Sequence, residues 1–266
     1  MMKLFLPVLL SGLSFGAAAQ SGGPDEGPPD GQPPRWGIGV AVAVNDSEFA
    51  GEGTRVIPLP LVSYNGDRFF FRGLSAGWRI VDNDDFELSV LGKFRMDGFS
   101  VDDLGRQELA RNGIDYRLIE DRDKAFDVGL GMKWSGKAGE LEAKLLADAT
   151  DTSGGHEFSV EYGYPFQVGQ GNLTPNAGVT WMSDDMTNYY YGTLDKEVAR
   201  GVVDYKPGAA AIPHVGVGYF RPLGEKWSIM GSAKYSLLPD EIKDSPFVEP
   251  DTDGTASIFV GFVRGF

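Results

Sequence analysis

A chain of 266 residues with 38 acidic against 24 basic side chains, a net charge of −14 and no cysteine excludes several classes at once. An acidic surface repels nucleic acid and offers no basic patch to hold it, and without cysteine there is neither a disulfide scaffold nor thiol chemistry. Beyond residues 1–19 no apolar run reaches the ~20 residues a membrane-crossing helix needs, so any passage through a bilayer must use strands.

Residues 1–19 carry a positive start at Lys3, an apolar run from Leu4 to Phe15 and small residues at Ala17-Ala18-Ala19 before Gln20, the pattern of a secretory signal peptide. Residues 20–35 are rich in proline and glycine, hold Asp25, Glu26 and Asp30 and have nothing to bury, which reads as a disordered periplasmic tail. Residues 36–266 remain for one folded domain.

Trp36 opens a strand in which Ile38, Val40, Val42 and Val44 alternate with Gly37, Gly39, Ala41 and Ala43, small residues that leave room in a crowded interior. The second strand, Thr54 to Tyr64, carries Pro58 and Pro60; proline removes a ladder hydrogen bond, so a bulge or a locally unpaired stretch is expected there. Asn65-Gly66-Asp67 is a hairpin turn. The segment from Arg68 to Val81 is long for one crossing, and Arg72-Gly73 divides it. Phe86 to Met96 sets Phe86, Leu88, Val90, Phe94 and Met96 against Glu87, Ser89, Lys93 and Arg95.

After a long charged connection, 97–124, three runs alternate without interruption. Phe126, Val128, Leu130, Met132 and Trp134 stand against Asp127, Gly129, Gly131 and Lys133. Leu141, Ala143, Leu145 and Ala147 stand against Glu140, Glu142, Lys144 and Asp148. Phe158, Val160, Tyr162, Tyr164 and Phe166 stand against Glu157, Ser159, Glu161 and Gly163. Period-two alternation marks strands with two unlike faces. Leu173 to Ser183 follows, then a second long connection, 184–211, with Tyr189-Tyr190-Tyr191-Gly192. A hairpin joins Ile212–Leu223 to Trp227–Leu238, and a loop with Asp244-Ser245-Pro246 leads to the last strand, Thr255 to Phe266.

Aromatics near strand ends (Trp36, Tyr64, Trp134, Tyr164, Trp181, Trp227 and Phe266) suit the interfacial girdles of a membrane barrel, and the terminal Phe266 resembles the end of bacterial outer-membrane proteins. Arg264, two residues before it, departs from that signal. With Phe266 on the periplasmic side, the short turns back to 82–85 are periplasmic and the connections 97–124, 184–211 and 239–254 are extracellular. The expectation is an all-β, antiparallel transmembrane β-barrel of 12 strands with short periplasmic turns and longer extracellular loops, set in outer-membrane lipid. Phe126, Val128, Leu130, Leu145, Val160 and Phe166 should meet lipid. Glu87, Lys93, Arg95, Asp127, Lys133, Glu140, Glu142, Lys144 and Glu161 should form a lumen charge network, with Asp127, Glu142, Lys144 and Glu161 meeting across a narrow interior.

No catalytic, cofactor or metal residues are expected. His156, near Ser153, Asp148 and Asp151, is a conceivable general base, but a loop residue making ordinary hydrogen bonds is the better reading, and Gly-x-Ser-x-Gly, zinc spacing and a phosphate loop are all lacking. A narrow passive channel preferring cations through acidic excess in its lumen is one functional reading of the charged strand faces.

The Pro58/Pro60 strand before Tyr64-Asn-Gly-Asp-Arg-Phe-Phe70, Asp148 through Gly155-His156, Asn188-Tyr-Tyr-Tyr-Gly192 and Asp244-Ser-Pro246 occur in an order that resembles the MltA-interacting protein (MipA/OmpV) family of Gram-negative outer membranes. Thr193 stands where an apolar residue would be expected. The resemblance implies a barrel that, in the family's namesake, is a scaffold joining a murein hydrolase to a murein synthase, with other members discussed as adhesins or in envelope stress. It supplies no catalytic residues to carry over, and scaffold function need not extend to every member.

Overall fold

The computed structural model describes residues 34–266; the expected signal peptide and all but the last residues of the expected tail lie outside the described residues. The strands are β1 (Trp36–Asp46), β2 (Thr54–Asn65), β3 (Phe69–Arg72), β4 (Ser75–Asp82), β5 (Phe86–Arg95), β6 (Ala125–Gly136), β7 (Gly139–Asp148), β8 (His156–Gly163), β9 (Phe166–Val168), β10 (Gly171–Met182), β11 (Ala210–Leu223), β12 (Trp227–Leu237) and β13 (Gly254–Gly265). Neighbours pair antiparallel, and the pairings β13 to β1 and β10 to β11 close the ring. β8 and β9 share one edge of β10, at residues 176–182 and 171–173, so they are one stave interrupted at Tyr164-Pro165, where proline has no N–H to give. The barrel therefore has twelve staves. The division at Arg72-Gly73 is a tight hairpin between β3 and β4, made possible by Gly73 in the left-handed region at φ +59°, where a Cβ would be strained.

Gly37 pairs with Gly265, and Phe266 N donates to Trp36 O at 2.9 Å, so both ends of the barrel sequence share one rim. The connections 66–68, 83–85, 137–138, 169–170 and 224–226 also lie at that rim, and 96–124, 183–209 and 238–253 lie at the other, the asymmetry of an outer-membrane barrel. Outward positions are apolar and open: Val40 66%, Leu130 48%, Leu145 50% and Val260 51% exposed. A continuous band of this kind is stable only against hydrocarbon. Phe126, Val128 and Phe166 share the outward face, and Val160 is half-buried on it.

Aromatic rings gather at the periplasmic rim, with Trp36 and Tyr64 4.7 Å apart and Trp227 stacked on Phe262 at 4.6 Å. Arg264 belongs to this girdle. Its guanidinium lies 4.8 Å from the Phe266 ring and 5.8 Å from Trp227, so the departure in the terminal signal is a cation over aromatic faces.

Inside, one sector is apolar: Ala41 and Ala43 of β1 pack against Leu59, Leu61, Met230 and Phe259. The β1–β2 ladder runs without a bulge from Trp36↔Tyr64 to Asp46↔Thr54, so the prolines leave that side intact.

The long extracellular connections are more than charged linkers. They contain α1 (Arg106–Arg111), α2 (Asp184–Tyr191), α3 (Asp195–Val198) and α4 (Asp240–Lys243), and they converge on one buried core. Phe49, Phe99, Leu104, Leu109, Ile114, Ile119, Met186, Tyr190, Tyr191, Val202, Ile242, Phe247 and Val248 pack there against the strand tops Met182 and Ala210. At ~1.5–3 kcal/mol for each fully buried large apolar side chain, this core makes the loops a folded cap.

Candidate functional site in the capped lumen

Period-two alternation in β5 to β8 sends every second side chain inward, and register decides which charges meet. Lys93 lies opposite Asp127 in the β5–β6 ladder. Beside them Arg95, 1% exposed, reaches Asp127 at 2.6 Å, Asp97 at 2.7 Å and Glu157 at 2.8 Å, and Lys93 stands 3.7 Å from Glu157. A buried guanidinium is costly unless paired and hydrogen-bonded; here three carboxylates surround it directly beneath the cap.

The other expected charges also find partners. Lys144 meets Glu142 at 2.7 Å, and Lys133 meets Glu140 at 3.1 Å across β6 and β7. Glu87 accepts from Arg79 at 2.7 Å near the periplasmic end. Glu161 reaches His214 Nε2 at 3.0 Å across β10. Gly178 lies between them, where a Cβ would stand 2.8 Å from that nitrogen and 2.4 Å from Val160 O. The ion-pair partner of Asp127 is Arg95. Glu157 was visible as a charge on a polar strand face, and Arg79 as the cation between Trp78 and Ile80. Asp97 carried no periodic signal because it lies past the end of β5.

The cap is centred on an ion pair that pattern reading missed. Arg122 and Glu197 are both fully buried, 2.8 Å apart. Arg122 also donates to Tyr189 O at 2.6 Å, Glu120 O at 2.8 Å and Gly192 O at 3.0 Å. Glu197 further accepts from the backbone N–H of Glu120 and Leu194. Glu48, 2% exposed, accepts from Tyr191 Oη at 2.8 Å. Burial raises the pKa of its carboxyl, and burial likewise pushes the Tyr190 and Tyr191 hydroxyls upward.

The family model described as MltA-interacting protein MipA matches residues 38–266. The chain belongs to this family. The MltA-interacting protein of Escherichia coli (strain K12) is 31% identical over 225 residues, 84% of this chain and 88% of that protein. The putative outer membrane protein YiaT of the same strain is 31% identical over 216 residues, 80% and 84% of the two chains, and outer membrane protein OmpV of Vibrio cholerae is 27% identical over 131 residues, 49% and 51% of the two chains. Among solved structures, the NanC porin matches with a TM-score of 0.46 at 8% identity, covering 86% of this chain and 100% of that one. As a MipA-family barrel the protein resides in the outer membrane.

Two of the motifs behind the family resemblance, Asn188-Tyr-Tyr-Tyr-Gly192 and Asp244-Ser-Pro246, meet in the cap. Ser183 caps α2 by accepting from Met186 N, which sets Tyr190 and Tyr191 into the core. Ser245 of the Asp-Ser-Pro motif donates to Tyr191 O at 2.7 Å. Thr193, polar where an apolar residue was expected, is 1% exposed and accepts from Tyr205 N at 2.8 Å.

The His156 neighbourhood is built differently from a nucleophile and base. Asp148 accepts from Thr150 N, Ser153 N, Ser153 Oγ and Gly154 N, so it organises its own loop. His156 is exposed on the outward face, its ring centroid 5.4 Å from that of Trp181. Among the described residues no group of three or more His, Asp or Glu is placed to hold a metal ion.

Proposed function

We propose that the protein is a non-enzymatic outer-membrane scaffold that supports envelope integrity and docks peptidoglycan-remodelling enzymes at its periplasmic end. The observation that carries this reading is the folded cap, in which Phe49, Phe99, Met186, Tyr191 and Phe247 share one core with the strand tops. A barrel roofed in this way suits anchoring at its other rim better than passage of solutes. Trp36 begins β1 at the periplasmic rim beside Phe266, the side on which murein lies. The name of the E. coli relative, MltA-interacting protein, supports a murein enzyme as the partner class.

The test is capture from detergent-solubilised envelopes, scored for murein hydrolase and synthase by mass spectrometry, with the full mature chain and with a chain lacking residues 20–34. Enrichment by the full chain above an unrelated barrel is expected, falling when the tail is removed if the tail shares in docking. Equal recovery by the unrelated barrel overturns the reading.

A further inference from the structure

The extracellular half of the barrel wall is discontinuous beside β2. That strand pairs with β1 along its whole length, but on its other edge β3 meets only Ser63, Tyr64 and Asn65. The chain then turns at Gly73-Leu74, and β4 pairs onward with β5. Among the described residues no strand covers this edge from 54 to 61.

The direction of the backbone groups shows that the sequence is adapted to this edge. Gly73 N donates to Val62 O at 3.3 Å, whereas Asn65 N donates to Arg35 O at 2.7 Å. Even-numbered residues of β2 therefore direct their backbone groups toward the gap, and odd-numbered ones toward β1. Pro58 and Pro60 are even. They stand where an N–H would point into the opening, and an unpaired donor in hydrocarbon costs several kcal/mol. Proline in a strand belongs on such an edge, and the remaining carbonyls are the less demanding partners.

The gap is lined for an apolar guest. Val56, Val62, Leu74 and Phe94 are exposed around it. Behind it Ile57, 7% exposed, packs on Met96, 8% exposed, and closes the notch from within, while Leu59 is the partly open member of the group and continues into the apolar sector with Leu61 and Phe259. Met96, expected on the outward face, turns in just past the end of β5. Loop 96–124 reaches over the notch through Asp103, 3.4 Å from Arg55 of β2.

We propose that this notch is a lateral portal that admits an acyl chain of an outer-leaflet lipid between β2 and the tip of the β3–β4 hairpin, to lie against Leu59, Ile57 and Met96. The occupant follows from position. The notch opens within the apolar band, where hydrocarbon is the surrounding medium, and in its extracellular half. The inference stands independently of murein-enzyme docking.

The test uses the mature full chain reconstituted in phospholipid vesicles containing a phospholipid with a diazirine in the middle of one acyl chain. After irradiation, adducts are mapped by peptide mass spectrometry. Inward Leu59, Ile57 and Met96 should be modified together with outward Val56 and Val62, while inward Leu91 and Leu146 of the closed wall should not. Leu59→Trp, which fills the notch, should lower adducts at Met96 several-fold and leave those at outward Leu130 unchanged, with heat-modifiable migration reporting intact folding. Adducts confined to outward residues, or equal modification of Leu91 and Leu59, overturn the portal.

Discussion

Arg122 gives every hydrogen it has to a partner inside the cap, and Glu197 answers with both oxygens. Glu197→Ala would leave a buried guanidinium without its carboxylate, at a cost of ~3–5 kcal/mol. Limited proteolysis should then cut within 96–124 or 183–209 while the barrel keeps its heat-modifiable migration. The pair Arg122→Met with Glu197→Leu should recover much of the resistance, since apolar replacement of a buried pair is often tolerated; an unaltered cleavage rate in Glu197→Ala would contradict the assignment. Glu48 sets a pH dependence of opposite sense to most carboxylates. Its folded pKa is raised above the usual 4.5 by burial, so the folded cap holds the proton more tightly than the unfolded chain does. Its contribution is fully present below pH 4.5 and is lost as pH rises through the raised value. Glu48→Gln, which keeps an acceptor for Tyr191, should be more stable than wild type at pH 8, with the difference in thermal midpoint vanishing near pH 4. A difference that is constant with pH would refute it. Of these residues, sequence patterning showed only that Arg122 lies in a long charged connection, 97–124. The spacing that announces the cap is apolar and five residues long: Phe99, Leu104, Leu109, Ile114 and Ile119, all buried, a period that matches neither strand nor helix.

At the scale of elements, strands were legible because lipid and lumen impose period two on every stave, and Gly73 divides β3 from β4 where Arg72-Gly73 interrupted the apolar run. Lumen partnerships were less legible, because pairing depends on register across strands distant in sequence, as between Arg95, Asp127 and Glu157. Cap helices of four to eight residues are too short to display an amphipathic repeat. The two faces of a stave predict unequal costs. Leu130→Arg, at the middle of the lipid face of β6, should destabilise the barrel by ~2–4 kcal/mol. Lys144→Ala, whose partly exposed ion pair with Glu142 behaves as a hydrated one, should cost ~0–1 kcal/mol. Urea titration of folding into vesicles measures both, and equal losses would mean that the faces are misassigned.

For the whole molecule, the distribution of charge separates the functional readings. A cation preference rests on acidic excess in the lumen, yet there Lys93, Arg95, Lys133 and Lys144 interleave with Asp127, Glu140, Glu142 and Glu157 in ion pairs. The excess lies in the extracellular loops: 238–253 carries Asp240, Glu241, Asp244, Glu249, Asp251 and Asp253 against Lys243. A net acidic excess in the extracellular loops and interleaved ion pairs within fit the proposed roofed anchor better than a cation-selective lumen. Single-channel recording of the purified protein in planar bilayers tests the roofed barrel most directly. The account predicts a quiet membrane in molar salt; regular, ohmic steps of constant size from the intact chain would contradict it.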